Sequence, residues 1–204
     1  ELYKAIRKVV SGDFPVGIKL NSADFQKSGF SQEESMEAAA CLEKEGIDLI
    51  EISGGNYEAP SMTGYRVKSS TRKREAYFLD YAERLRESVS TPRVVTGGFR
   101  TAAAMTQALQ SGSADMIGLG RPLAVEPDLP NSLLSNPACR SIHKDPTTGI
   151  KALDRMAMLS ITWYEHQLKR ISRGQPAAPN LSAWKSVFHT FKGFWGHSLS
   201  RRRA

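Results

Sequence analysis

Only two cysteines occur in the 204 residues, Cys41 and Cys139. They are too few for a disulfide framework, and no CxxC or Cys/His spacing surrounds them. A stapled or zinc-built fold is therefore excluded, and a reducing, cytoplasmic compartment is the expectation. Long hydrophobic runs are missing as well. No stretch of about 18 apolar residues exists, and the opening ELYKAIRKVV lacks the apolar core of a signal peptide, so neither a membrane span nor a cleaved leader is expected. Acidic residues are in the minority, 21 against 28 Lys and Arg, which leaves a net charge of +7. Much of that excess sits late, in Lys169, Arg170, Arg173, Lys185, Lys192 and Arg201 to Arg203. No zinc-finger spacing or RNP-type aromatic strand accompanies it, so no nucleic-acid partner is expected.

What is present reads as an ordinary globular chain, 40% hydrophobic and 24% charged. Strands alternate with helices along it. FPVGIKL (14–20) reads as a strand, followed by a helix from SQEESMEAAACLEKEG. In that helix Ser31 and Glu34 form a capping box and Gly46 marks the stop. IDLIEIS (47–53) is a second strand. After a long polar loop, REAYFLDYAERLRESV reads as a helix with Phe78, Tyr81 and Leu85 on one face. RVVTGG is a third strand, TAAAMTQALQSG a helix and ADMIGLG a fourth strand. Val- and Ile-rich strands separated by crossover helices point to parallel pairing with both faces buried, in a doubly wound sheet or a barrel.

In either architecture ligands bind where the βα loops leave the strands. Polar residues and glycines collect there: Lys19, Asn21 and Asp24; Ser53, Gly54, Gly55 and Tyr57; Gly97, Gly98, Phe99 and Arg100; Gly120 and Arg121. Glycines let a backbone approach a ligand, helix N-termini attract anions, and an arginine fork suits phosphate oxygens. Each loop by itself is better read as a tight turn, with Arg121 a solvated surface residue or an ion-pair partner. Two such loops at adjacent strand ends favour an anion site.

The segments PVGIKLNSADF, GIDLIEISGGNYEAP, STRKREAYFLDYAERLR, RVVTGGFRT and ADMIGLGRPLAVEPDLP, in this order, resemble the carboxyl-terminal half of the old yellow enzyme family. These are flavin-dependent oxidoreductases of the NADH:flavin oxidoreductase type. The resemblance implies strands five to eight of a (β/α)8 barrel with non-covalent FMN, reduced by NADPH or NADH and reoxidised by a small acceptor such as an activated alkene. It assigns the FMN phosphate to the loops of Gly97, Gly98, Phe99, Gly120 and Arg121. It also places Lys19 where a cation faces the flavin ring system, a position commonly held by arginine.

A whole barrel takes about 250 residues, and four βα steps are present. The chain opens at Glu1 in what reads as the end of the helix before strand five, so strands one to four are expected elsewhere. In the family those strands carry the acceptor-binding and proton-donating residues. None of His143, His166, His189 and His197 fits that role by position, and no catalytic residue is assigned. Tyr77 and Tyr81 read as helix packing residues. Residues 1–140 are expected to form the half barrel, and residues 141–204 a helical extension. Four strands by themselves expose two edges and an inner apolar surface, which predicts a partner half or self-association. Two functions follow: one part of a working flavin enzyme, or an inactive half barrel with only phosphate-ligand binding or a structural role.

In the extension, KALDRMAMLSITWYEHQLKRISRG reads as a helix. Leu153, Met156, Ser160, Trp163 and Gln167 form one stripe, with Met158, Ile161, Leu168 and Ile171 beside it. After GQPAAPN, a basic amphipathic helix carries Trp184, Val187, Phe188, Phe191 and Trp195, weakened by Gly193 and Gly196. It suits weak contact with an anionic membrane surface, or docking of its aromatic face on the barrel.

Overall fold

The computed structural model describes residues 1–54, 75–154 and 157–200, without the side chains of 157–158 and 193–200. The rim residues Gly55 and Tyr57, the stripe residue Met156 and Arg201 to Arg203 lie outside the described residues, as do the side chains of Met158, Trp195 and His197. The chain divides into two compact units. One comprises Glu1–Gly120 and Asn136–Cys139, the other Arg121–Ser135 and Arg140–Ala204. Residues 121–135 thus group with the carboxyl-terminal unit, whereas the sequence placed them in the half barrel.

The first unit begins with α1 (Leu2–Arg7) and then alternates β1 (Gly17–Asn21), α2 (Gln32–Lys44), β2 (Leu49–Ser53), α3 (Leu79–Arg86), β3 (Arg93–Thr96), α4 (Ala102–Gln110) and β4 (Met116–Gly118). The four strands form one parallel sheet in the order β1-β2-β3-β4. The capping box of α2 is present: the Glu34 amide donates to Ser31 Oγ at 3.2 Å, and the Ser31 amide donates to the Glu34 carboxylate at 2.8 Å. One face of the sheet carries Ile50, Ile52 and Val95, all nearly inaccessible, against a helical layer that buries Ala39, Tyr81, Ala82, Leu85 and Ala108. Each large apolar side chain so buried contributes about 1.5 to 3 kcal/mol. Between the layers, the Tyr81 hydroxyl and Ser35 Oγ lie 2.7 Å apart, and Ser35 donates to the Asn21 carbonyl at 2.6 Å.

The opposite face departs from expectation. Strands buried on both sides were predicted, and an inner surface of apolar character. Lys19, Glu51 and Thr96 lie on this face instead, with Met116 54% exposed beside the buried Val94. It is a largely polar, solvated surface. A second difference concerns α3, which begins at Leu79 because Glu75 and Ala76 have φ of +57° and +44°, incompatible with a helix. Tyr77, expected on the helix, lies in the turn before it.

The second unit contains a 3-10 turn (Arg121–Ala124) and helices α5 (Leu129–Ser135), α6 (Lys151–Asp154), α7 (Ala157–Ile171) and α8 (Ala183–Ser200). Its core holds Leu129, Leu159, Trp163 and Ala183. Gln167 is fully buried in the predicted α7 stripe because its amide closes both ends of one backbone pairing: Nε2 donates to the Ala178 carbonyl at 3.0 Å and Oε1 accepts the Ala178 amide at 2.7 Å. Trp163 Nε1 donates to the Leu181 carbonyl at 2.8 Å. Despite its two glycines α8 continues to Ser200. Among the described residues no helix is long and apolar enough to cross a membrane.

Candidate functional site

At the carboxyl ends of the strands the polar residues are tied into one another. Lys19 on β1 pairs with Glu51 on β2 at 2.6 Å, and the hydroxyl of Thr96 on β3 donates to the same carboxylate oxygen at 2.9 Å. Glu51 therefore joins Lys19 to the residue that opens the β3–α4 loop, and it is the counterion of the cation that the sequence singled out. Asn21 and Asp24 organise the β1–α2 loop: Asn21 Nδ2 donates to Asp24 Oδ1 at 3.2 Å, and the Phe30 amide donates to Oδ2 at 3.1 Å. A side chain at Gly54 would collide with Phe78 and Phe25, at 2.5 and 2.9 Å, so this glycine serves aromatic packing.

The β3–α4 loop has backbone angles that favour glycine. Gly97 and Gly98 have φ of +120° and +90°. A Cβ at Gly98 would sit 2.7 Å from the Tyr77 ring, so the close approach this glycine permits is to protein. Phe99 is 1% exposed and anchors the loop in the core. Glu75 takes the next two amides, from Arg100 at 2.7 Å and Thr101 at 3.0 Å. Gly98 and Phe99 are buried, and the hydrogen bonds among the described residues include none from either of their amides. Such donors are costly unless an acceptor meets them, and adjacent amides suit an oxyanion.

The strand ending in Gly-Leu-Gly uses its two glycines differently. A Cβ at Gly118 would lie 1.8 Å from the Thr96 hydroxyl, which needs that space to reach Glu51. Gly120 is exposed, and a Cβ there would meet nothing within 4 Å. In the second unit, Arg121 opens the 3-10 turn and donates to Asp145 at 2.6 Å. Asp145 also accepts from the Tyr164 hydroxyl at 3.4 Å, and that hydroxyl lies 2.6 Å from Nε2 of the buried His143. Arg121 already holds one carboxylate, as the ion-pair reading required.

A family model described as NADH:flavin oxidoreductase / NADH oxidase matches residues 1–138. The chain belongs to this family. Its members are FMN-dependent and take NADH or NADPH as reductant. The chain is 40% identical over 157 residues to the NADH-dependent flavin oxidoreductase iccE of Talaromyces variabilis, covering 74% of this chain and 37% of that protein. It is 37% identical over 145 residues to the NADH-dependent flavin oxidoreductase iliE of Neonectria sp. (strain DH2), covering 67% of this chain and 19% of that one. The chain therefore spans well under half the length of these relatives. Among solved structures, a 2-naphthoyl-CoA reductase in complex with 2-naphthoyl-CoA superposes with a TM-score of 0.58 at 26% identity, covering 68% of this chain and 21% of that one. The parallel four-strand sheet is accordingly part of an α/β barrel.

Sequence reasoning missed Glu51 and Glu75 in the first unit and Asp145 in the second. The period-2 alternation of LIEIS was a usable signal for Glu51, since it puts Glu51 on the face opposite Ile50 and Ile52. Glu75 was read as a helix residue, and nothing local marks its backbone as left-handed.

Proposed function

We propose that β1 to β4 are strands five to eight of an FMN-dependent NAD(P)H oxidoreductase barrel, and that this chain carries its phosphate-binding half. The observation that carries this reading is the pair of amides of the buried residues Gly98 and Phe99 without an acceptor among the described residues, in a loop whose following amides are already occupied by Glu75. These donors fit a phosphate, and Gly120 is open to one. Arg121 is assigned to the same anion on the family's Gly-Arg-Pro motif. Lys19 is assigned to the flavin ring, with Glu51 fixing its ammonium group. When bound, FMN supplies the two-electron redox chemistry. The chain's own residues bind and orient it. The relatives' names favour NADH as reductant, and a small activated alkene is the acceptor class.

The open edges of the sheet at β1 and β4 support a need for further strands, from the other half barrel or a second copy. The competing reading is a half barrel that binds a phosphate ligand without hydride transfer, with residues 141–204 as a helical extension. A visible spectrum of the chain with FMN, followed by anaerobic NADH, separates the two. Bleaching of a bound flavin band is expected of an assembled enzyme, and a bound band that persists fits the inactive alternative. Absence of any flavin binding, with or without the other half, overturns the phosphate assignment.

A further inference from the structure

The face that α8 presents to water is the wrong one for a helix of a soluble protein. Ala183 and Ser186 are buried, and Thr190 Oγ1 lies 3.2 Å from Thr162 Oγ1 on α7, so the small and hydroxyl-bearing side packs inward. Trp184, Phe188 and Phe191, at spacing i, i+4, i+7, are 49, 71 and 54% exposed. Within its own unit this aromatic face is left uncovered by α7. Beside the stripe, a groove of about 660 Å³ opens between α7 and α8. It is lined by Lys169, Arg170, Arg173 and Lys185 together with Trp184 and Phe188, and among the described residues no Asp or Glu lines it.

Cations at the end of α7 complement its dipole, but Lys185 stands in the first turn of α8, where a positive charge is disfavoured and no acidic residue offsets it. An external anion placed in the groove relieves the α8 N-terminus and all four cations together. The aromatic surface continues past the groove to Phe191, which does not line it, so the apolar area exceeds what one pocket ligand would cover. Aromatic residues on one face and cations beside them are the composition of a helix that lies in the headgroup layer.

We propose that the α7–α8 hairpin docks on an anionic phospholipid surface, with Trp184, Phe188 and Phe191 entering the headgroup region and the four cations seating a lipid headgroup. The surface is independent of the flavin site.

Flotation of the full chain with phosphatidylcholine vesicles, with and without phosphatidylserine, tests this. Binding to the phosphatidylserine vesicles is expected, weakened by salt. The double variants Trp184→Ser/Phe188→Ser and Arg173→Glu/Lys185→Glu should each lower partition on the order of tenfold or more, with the far-UV circular dichroism unchanged. These residues are exposed or line an open groove, so folding should survive. No flotation, or flotation undiminished by either double variant, overturns the proposal. Saturable binding of inorganic phosphate without flotation assigns the groove to a soluble anion and overturns it equally.

Discussion

The carboxylate of Glu75 accepts the amide of Thr101 at 3.0 Å, at the entrance of α4, while its own backbone is held at φ +57°. A non-glycine residue in this region is strained by about 1 kcal/mol or more, and the bonds to Arg100 and Thr101 offset that. The left-handed turn also sets Tyr77 against Gly98. Glu75 thereby occupies the Arg100 and Thr101 amides, while those of Gly98 and Phe99 donate to no acceptor among the described residues. Glu75→Ala should lower stability by about 2 kcal/mol, for the lost charge-assisted hydrogen bonds from the Arg100 and Thr101 amides and the Thr101 hydroxyl, and weaken FMN binding. Glu75→Gln, which keeps an acceptor oxygen, should lose about half as much. Thermal melts with and without FMN measure both effects, and equal melting of Glu75→Ala and the parent would refute the role.

Gly118 and Gly120 separate folding from binding. Gly118→Ala places a Cβ 1.8 Å from Thr96 Oγ1 and 3.2 Å from the Thr96 Cα. It should destabilise by about 1 to 3 kcal/mol, as overpacking does. Gly120→Ala meets nothing within 4 Å, so its melting temperature should match the parent while FMN affinity falls. Unchanged affinity would remove Gly120 from the site.

Arg121→Ala should raise the FMN dissociation constant by about 10- to 150-fold, corresponding to about 1.5 to 3 kcal/mol for a hydrogen bond to a charged group. Flavin fluorescence titration reads this directly. Asp145 orients Arg121 in the structure, and Asp145→Asn should give a smaller loss in the same direction. Parent-like affinity in Arg121→Ala would leave that arginine as a surface ion-pair residue.

Arg93 is fully buried beneath the sheet, and Asp115 is its counterion at 3.5 Å, itself held bidentately by Arg86 at 3.1 and 3.3 Å. Burial lowers the Arg93 value. For Asp115 burial acts upward, but the Arg93 amide and the Arg86 guanidinium outweigh it, so its carboxyl lies below the ordinary 3.8. A depressed carboxyl stabilises the fold above its unfolded value and loses that contribution as pH falls through the folded one. Acid unfolding of the parent should therefore steepen below pH 3.8. Asp115→Asn should be less stable by about 1 to 2 kcal/mol at neutral pH, allowing for the third of the side chain in water, and should flatten the acid limb. An identical acid limb in both proteins would refute the linkage.

Tyr81→Phe leaves Ser35 its bond to the Asn21 carbonyl and removes one buried hydroxyl contact. The expected loss is about 1 kcal/mol in a denaturant melt, and a gain in stability would contradict the pairing.

The sequence by itself determined what near neighbours decide. The capping box of Ser31 and Glu34, the apolar face of Tyr81 and Leu85, the four parallel strands and the glycine turns after β3 and β4 all depend on residues a few positions apart. Ordered motifs of that kind were enough to place the chain in its family. Tertiary structure alone decided which charge meets which. Lys19 finds Glu51, Arg121 finds Asp145 and Arg93 finds Asp115 across at least 22 residues of chain. A partner at that distance is set by strand register and loop path, which leave no periodic trace in composition. The exposed sheet face and the outward aromatic stripe of α8 follow the same logic. Periodicity shows that a helix or strand has two unlike faces, and only the packed neighbours determine which of them meets water.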